Sequence, residues 1–319
     1  MRAFLKYSAA LILLGLAFFL FEIYLSPKNE VMEALVLTNP EWNNQDFAEL
    51  PSQAFLPNSL NLSNPKKVSF LDYTSEDDSI NFQQIHAIKA LWAKNKLQVK
   101  SFLLHGSQSL KKPFKWQVTP FSTDRFAFVQ QVQILFHLIF DKQKSLPGES
   151  RRLPLSLLEP RLSETSGGDK GSDPFCTKEV IQKQRVLEGK HVDVLYNHAP
   201  LGFNAGEKFH FLVVTKEHKV RFENLSKEEY LEAMKLTRFV AKFLESTKAC
   251  SEIHFFQKNG KEAGMSVSHW HLHVVGVTST KDSFWGKIFV LKSMIFGSSP
   301  LSNQTLKERV ERYKKELAS

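Results

Sequence analysis

Three histidines fall on alternate positions in the stretch MSVSHWHLHVV, residues 265–275: His269, His271 and His273. Imidazole titrates near neutrality and serves as base, nucleophile or metal ligand. In a strand, successive side chains alternate faces. The three rings would then share one side, about 7 Å apart, with Trp270, Leu272 and Val274 packed on the core. With 11 histidines in 319 residues, chance produces this pattern in roughly one chain in a hundred of such composition, so coincidence is disfavoured. Three readings are open. The strand could simply face solvent. A His-x-His pair could hold a zinc-type metal, although no further carboxylate or cysteine ligand stands in the local sequence. Or one imidazole could attack phosphorus covalently, with its neighbours as acid and base.

Such a strand needs neighbours, and the chain supplies them. The segment RVLEGKHVDVLYNHAP (185–200) reads as two strands joined by a Glu-Gly-Lys turn. FHFLVVTKEH (209–218) is apolar enough for a central strand. Ser226 and Glu229 form a capping box opening a helix to about residue 246. SEIHFFQKNG (251–260) is a strand and turn, the histidine stretch is the next strand, and 303–319 is a charged amphipathic helix. In the first half, Phe82, Ile85, Ile88, Leu91 and Trp92 share a helical face. The strands VKSFLLHG, ending at Gly106, and FKWQVTPF, ending at Phe121, follow, then a buried helix from Thr123 or Asp124 to about Phe140. The expected class is α+β, an antiparallel sheet with helices.

Composition narrows the partners. A net charge of +9 favours anionic ligands. Its lysines and arginines form no run, so no nucleic acid partner is expected. Cys176 and Cys250 make neither a disulfide framework nor a metal cage. Arg2 and Lys6 precede an apolar run from about Tyr7 to Leu25, long enough to cross a bilayer. We read it as a single-pass anchor, with a cleaved signal peptide as competitor, and the charge bias places the soluble body on the non-cytoplasmic side. The apolar, partly basic segment from Phe284 to Phe296 either packs on the first half or lies on a membrane surface.

The stretch His269-Trp270-His271-Leu272-His273-Val274-Val275 resembles the signature of the histidine-triad (HIT) superfamily, alternating histidine and apolar positions. The resemblance extends upstream over about residues 175–280. Asn259-Gly260, Gly264, Ser266 and Val267 stand where the family has an Asn-x-Gly turn and a phosphate-contacting Gly-Gln-Ser segment. HFLVVTKEH (210–218) matches a family strand, and VDVLYNHAP matches the strand whose Asp or Asn contacts ribose. The resemblance implies that His271 attacks the α-phosphorus of a nucleotide, giving a nucleotidyl-histidine that water or another acceptor discharges. His269 and His273 would orient it, neutralise phosphate charge and serve the leaving group. It also implies that Ser266 and nearby amides hold phosphate, Asn197 touches ribose, and Asn259 lies near the leaving group or the nucleophile's hydrogen bonds. His210 is carried into the nucleotide site, although for His210 and His218 a structural role is the commoner one for a histidine at a strand edge. No cofactor or metal is required by this scheme.

Two positions depart from the family pattern. Met265 stands where hydrolase branches have Gln, and Asn197 where many have Asp. The Asn is similar to the dinucleoside-polyphosphate phosphorylase and hexose-1-phosphate uridylyltransferase branches, yet His273 is kept where those often have Gln. The first half also repeats the order helix, strand, strand, with Gly106 ten residues before Trp116 as Gly260 is before Trp270. Lys115, Gln117 and Thr119 then fall opposite the three histidines. The expected organisation is an anchor (1–28), an N-terminal domain that could be a degenerate half (30–141), a linker (142–174), a catalytic domain (175–300) and a terminal helix (301–319). The body would be a monomeric pseudo-dimer or a homodimer. A nucleotide-binding sensor without turnover is the alternative function.

Overall fold

The computed structural model describes residues 47–50, 52–53, 60–62, 69–94, 99–109, 114, 116–122, 151–154, 173–201, 208–247, 250–261, 263–278 and 298–318. The expected N-terminal anchor, the helix at 123–140 and the segment 284–296 lie outside them. Among the described residues no helix is long and apolar enough to cross a membrane.

In chain order the strands are β1 (Phe47–Leu50), β2 (Ser52–Gln53), β3 (Leu60–Leu62), β4 (Val99–Ser109), β5 (Trp116–Ser122), β6 (Arg151–Pro154), β7 (Arg185–Glu188), β8 (Val192–Tyr196), β9 (Phe209–Thr215), β10 (Cys250–Asn259) and β11 (His271–Thr278). The helices are α1 (Ser75–Lys94), α2 (Lys178–Gln184), α3 (Lys227–Ser246) and α4 (Asn303–Ala318). Nine strands form one sheet, ordered β2-β3-β5-β4-β10-β11-β9-β8-β7, with antiparallel neighbours throughout. Among the described residues β1 pairs with β6. The α+β antiparallel architecture expected from the sequence is what forms.

β9 is buried along its whole length because both its faces are covered. Phe209, Phe211 and Val213 join the main core with α3, whereas Leu212 and Val214 pack with Phe175 on the opposite face. The capping box at the start of α3 forms: the Glu229 amide donates to Ser226 Oγ at 3.1 Å and the Ser226 amide to Glu229 Oε2 at 2.7 Å. Trp270 has no exposed surface and lies in the core behind the histidine strand, as alternation requires. Burying a large apolar side chain contributes about 1.5–3 kcal/mol, and Leu272 and Val274 beside it anchor the same face.

The units α1-β4-β5 and α3-β10-β11 repeat one order and meet along β4 and β10, with Phe256 opposite His105. Across the junction Arg238 of α3 donates to Asp78 of α1 at 2.7 Å. Burial pushes the Asp78 carboxyl up to about 6 in spite of that arginine. Three expectations need correction. β4 continues past Gly106 to Ser109, so this glycine is not the counterpart of the turn at Gly260. It sits inside the strand because a Cβ there would lie 2.8 Å from the Phe114 ring. The segment assigned as linker is not all connection, since Asp173 and Pro174 at its end belong to the site described below. The histidine strand begins only at His271, because the Trp270 amide turns to the carbonyl of Lys219.

Candidate active site

His271 opens β11 and is buried. Its Nδ1 lies 2.7 Å from the carbonyl oxygen of His269. A carbonyl can only accept, so Nδ1 carries the proton and Nε2 keeps its lone pair. Burial is the main cause that lowers His271 to about 4, so the ring is neutral near pH 7. The side chain lines a cavity of about 540 Å³. A neutral imidazole of fixed tautomer, lining a cavity with one nitrogen lone pair uncommitted, has the form a nucleophile requires.

The neighbouring rings are ordered by a relay. The Leu201 amide donates to Nδ1 of His210 at 2.9 Å, which forces the His210 proton onto Nε2. That nitrogen donates to Nδ1 of His273 at 2.9 Å, leaving the proton of His273 on Nε2. Burial lowers His210 to about 3 and puts His273 well below its ordinary range, so both rings are neutral. His273 stacks on Phe256 with centroids 4.3 Å apart, which holds the ring plane. The His-His relay therefore gives His273 an N–H that can donate to a phosphate oxygen.

His269 does something different from what its place in the triad suggests. The ring has no exposed surface and does not line the cavity. Its Nδ1 is 2.6 Å from Asp173 Oδ2, and its Nε2 is 2.8 Å from the Thr215 carbonyl. The ring is a buried anchor, and His269 meets His271 through its main-chain carbonyl. Placing the ring on phosphate, as the sequence reading did, is thus corrected: it stands upstream of the strand, behind Phe175.

The remaining expected site residues divide. Asn197, Ser266 and His210 line the cavity. Asn197 Oδ1 accepts from the Ala199 amide at 3.0 Å, so the loop after β8 is braced by the side chain facing the cavity. Gly264 does not line it; with φ of 81° it supports the turn where its amide donates to the Lys261 carbonyl at 2.8 Å. Asn259 is turned away, which corrects its placement near the leaving group or nucleophile. Fully buried on the opposite face, its Oδ1 accepts from the Phe222 amide at 2.7 Å and its Nδ2 donates to Glu223 Oε2 at 2.8 Å. Strand alternation is the cause. Phe256 pairs with His273 and shares its face, so Lys258 points into the cavity and Asn259 cannot.

Sequence reasoning also missed a second constellation. Asp173 Oδ2, Cys176 Sγ, His218 Nδ1 and His269 Nδ1 all lie within 4.8 Å of one another. His218 Nδ1 is 2.8 Å from Asp173 Oδ2, and Cys176 Sγ is 3.1 Å from the same oxygen. Burial alone would raise the Asp173 carboxyl, but hydrogen bonds from His269, Cys176 and the Phe175 amide outweigh it and hold the group low. Two imidazoles, a thiol and a carboxylate are a donor set that suits a tetrahedral zinc-type ion. The carboxylate and cysteine missing from the local sequence arrive from 96 and 93 positions upstream. The spacing Asp-x-x-Cys in DPFC was the available signal.

The HIT domain profile matches residues 178–280. An uncharacterized HIT-like protein of Mycoplasma genitalium is 32% identical over 112 residues, covering 34% of this chain and 76% of that protein. Among solved structures, an ADP-glucose phosphorylase from Arabidopsis thaliana is 10% identical, covering 79% of this chain and 73% of its own, with a TM-score of 0.47. A diadenosine triphosphate hydrolase from Plasmodium falciparum is 19% identical, covering 43% and 78%, with a TM-score of 0.34.

Proposed function

The chain belongs to the histidine-triad (HIT) family, and on that premise we propose that it is a nucleotidyl hydrolase or transferase working through a nucleotidyl-histidine at His271. The observation that carries this reading is the 2.7 Å bond from His271 Nδ1–H to the His269 carbonyl, which leaves Nε2 free on the cavity. Nε2 attacks the α-phosphorus, the new N–P bond forms, and the bond from phosphorus to the leaving group breaks. Positive charge grows on the His271 ring as it does so, and the carbonyl dipole at Nδ1–H stabilises it. His273 Nε2–H donates to a phosphate oxygen or to the departing group, and Ser266 closes the phosphate side. Asn197 and Leu201 receive the nucleoside. Water or a second acceptor then breaks the N–P bond and restores the lone pair.

The Asp173, Cys176, His218 and His269 set would hold a metal ion, which would fix the loop before α2 against the ends of β9 and β11. Held so, the His269 carbonyl stays aimed at His271. The pairing of β4 with β10 supports a monomer that carries both halves, and we retain the N-terminal run 7–25 as a membrane tether.

The test is covalent trapping. Wild-type protein mixed with diadenosine tetraphosphate or an adenosine phosphoramidate, labelled at the α-phosphate, is expected to carry acid-labile label after a rapid quench. His271→Ala is expected to carry none while still binding AMP. Tight binding by the wild type with neither label nor turnover on any nucleotide would establish the sensor alternative instead. Label that persists on His271→Ala would move the nucleophile elsewhere.

A further inference from the structure

Beside the nucleophile stands a cation that the scheme above does not use. Phe256 of β10 pairs with His273 of β11. Continuing that register by two residues puts Lys258 across from His271, on the same face of the sheet. Lys258 lines the cavity with His271, His273 and Ser266. Among the described residues its ammonium has neither a carboxylate nor a hydrogen-bond partner. No acidic side chain among the described residues lines the cavity, and Asp173, in the cluster behind it, is occupied by His218, His269 and Cys176. The groups that feel the lysine charge are His210, His271 and His273, none of them negative. A partly desolvated ammonium among neutral rings lacks its anion, and burial alone accordingly lowers it.

Its place along the strand says which anion fits. On the functional reading above Asn197 and His210 take the nucleoside end of the cavity, and His210 pairs with Val275 at the far side of His273. Lys258 lies at the other end, where β11 begins. With the α-phosphorus at His271 Nε2, Lys258 is at the leaving-group side.

Resting on the functional reading above, we propose that Lys258 binds the phosphate carried by the leaving group, so that the enzyme selects phosphoanhydride substrates over those with uncharged leaving groups. When the P–O bond of a phosphoanhydride breaks, the electron pair stays on the departing phosphate oxygen, and the ammonium meets that charge. When the P–N bond of an alkyl phosphoramidate breaks, the amine leaves with an added proton and gives Lys258 nothing to hold. Lys258 is in this sense a specificity-determining residue.

The experiment compares wild type, Lys258→Met and Lys258→Arg on diadenosine tetraphosphate and on an adenosine N-alkyl phosphoramidate. Calorimetric titration with AMP and ADP in magnesium-free buffer accompanies the kinetics, and thermal melting verifies that the variants fold. Lys258→Met is expected to lose about ten- to a hundredfold in kcat/KM on the tetraphosphate, the range of one charge-assisted contact. Its loss on the phosphoramidate is expected to stay within about threefold, with Lys258→Arg recovering most of the tetraphosphate activity. Wild type is expected to bind ADP about tenfold tighter than AMP, and Lys258→Met to erase that gap. Equal losses on both substrates, or equal binding of AMP and ADP by wild type, would overturn the assignment of Lys258 alone. Absence of any nucleotide binding or turnover by wild type would overturn the functional reading and this inference together.

Discussion

Asn259→Ala separates a structural asparagine from a catalytic one. The family resemblance puts this residue near the leaving group or the hydrogen bonds of His271, whereas the fold puts it behind the sheet. Both its hydrogen bonds lie within the buried junction before α3: one from the Phe222 amide at 2.7 Å, one to Glu223 Oε2 at 2.8 Å. Truncation leaves a buried backbone N–H without its acceptor, which costs about 1–3 kcal/mol. The second bond goes to a carboxylate that also pairs with Lys89 and is partly open to solvent, so about 1 kcal/mol is its share. The sum is about 2–4 kcal/mol, and for a folded unit of this size it corresponds to a melting temperature lower by roughly 5–15 °C. The assay is scanning calorimetry alongside steady-state kinetics at 20 °C, with kcat referred to folded protein. We expect a clear loss of stability and a kcat within about threefold of wild type. Asn259→Asp sharpens the comparison. It keeps the acceptor for Phe222 but sets a carboxylate against Glu223, so it is expected to be at least as unstable as the alanine variant. A melting temperature unchanged from wild type, with kcat down a hundredfold, would refute the placement.

His210→Ala removes the donor to His273 Nδ1; losing a buried hydrogen bond of this kind is expected to lower kcat about ten- to a hundredfold. Nitrogen NMR should show the His273 proton on Nε2 in wild type and a mixture in the variant; an unchanged His273 spectrum would remove the relay. His86, His105 and His210 are held by burial at about 4, 3 and 3 against an ordinary 6.5. Because these folded-state values are depressed, the unfolded chain binds more protons between about pH 3 and 6.5. Stability is then full above 6.5 and falls on acidification through that window, by on the order of 1 kcal/mol per pH unit for each histidine. Urea titrations at pH 7, 6 and 5 measure it, and a flat profile would contradict the burial of these rings. Cobalt(II) added to metal-stripped protein is expected to bind at one equivalent with a thiolate charge-transfer absorption. Cys176→Ser is expected to lose that absorption, and an identical spectrum in the variant would exclude the cluster as the metal site.

The sequence by itself determined much of this protein, wherever the physics is local. Strand alternation put Trp270, Leu272 and Val274 on the core and His271 and His273 on the other side, and all five stand there. The Ser226–Glu229 box, the fully buried β9 and the C-terminal amphipathic helix were legible because capping and periodicity need only neighbours within a turn or two. The HIT motif singled out His271 where periodicity alone could not choose among three rings. Tertiary structure decided what each ring does, because a histidine's tautomer is set by whichever partner reaches its other nitrogen. For His210 that partner is a loop amide nine residues away, and for His269 a carboxylate 96 residues away. Tertiary structure also decided between Lys258 and Asn259. A motif aligned by residue type cannot tell which of two adjacent side chains faces the cavity. Pairing register can, because a shift of one residue exchanges the two faces of a strand.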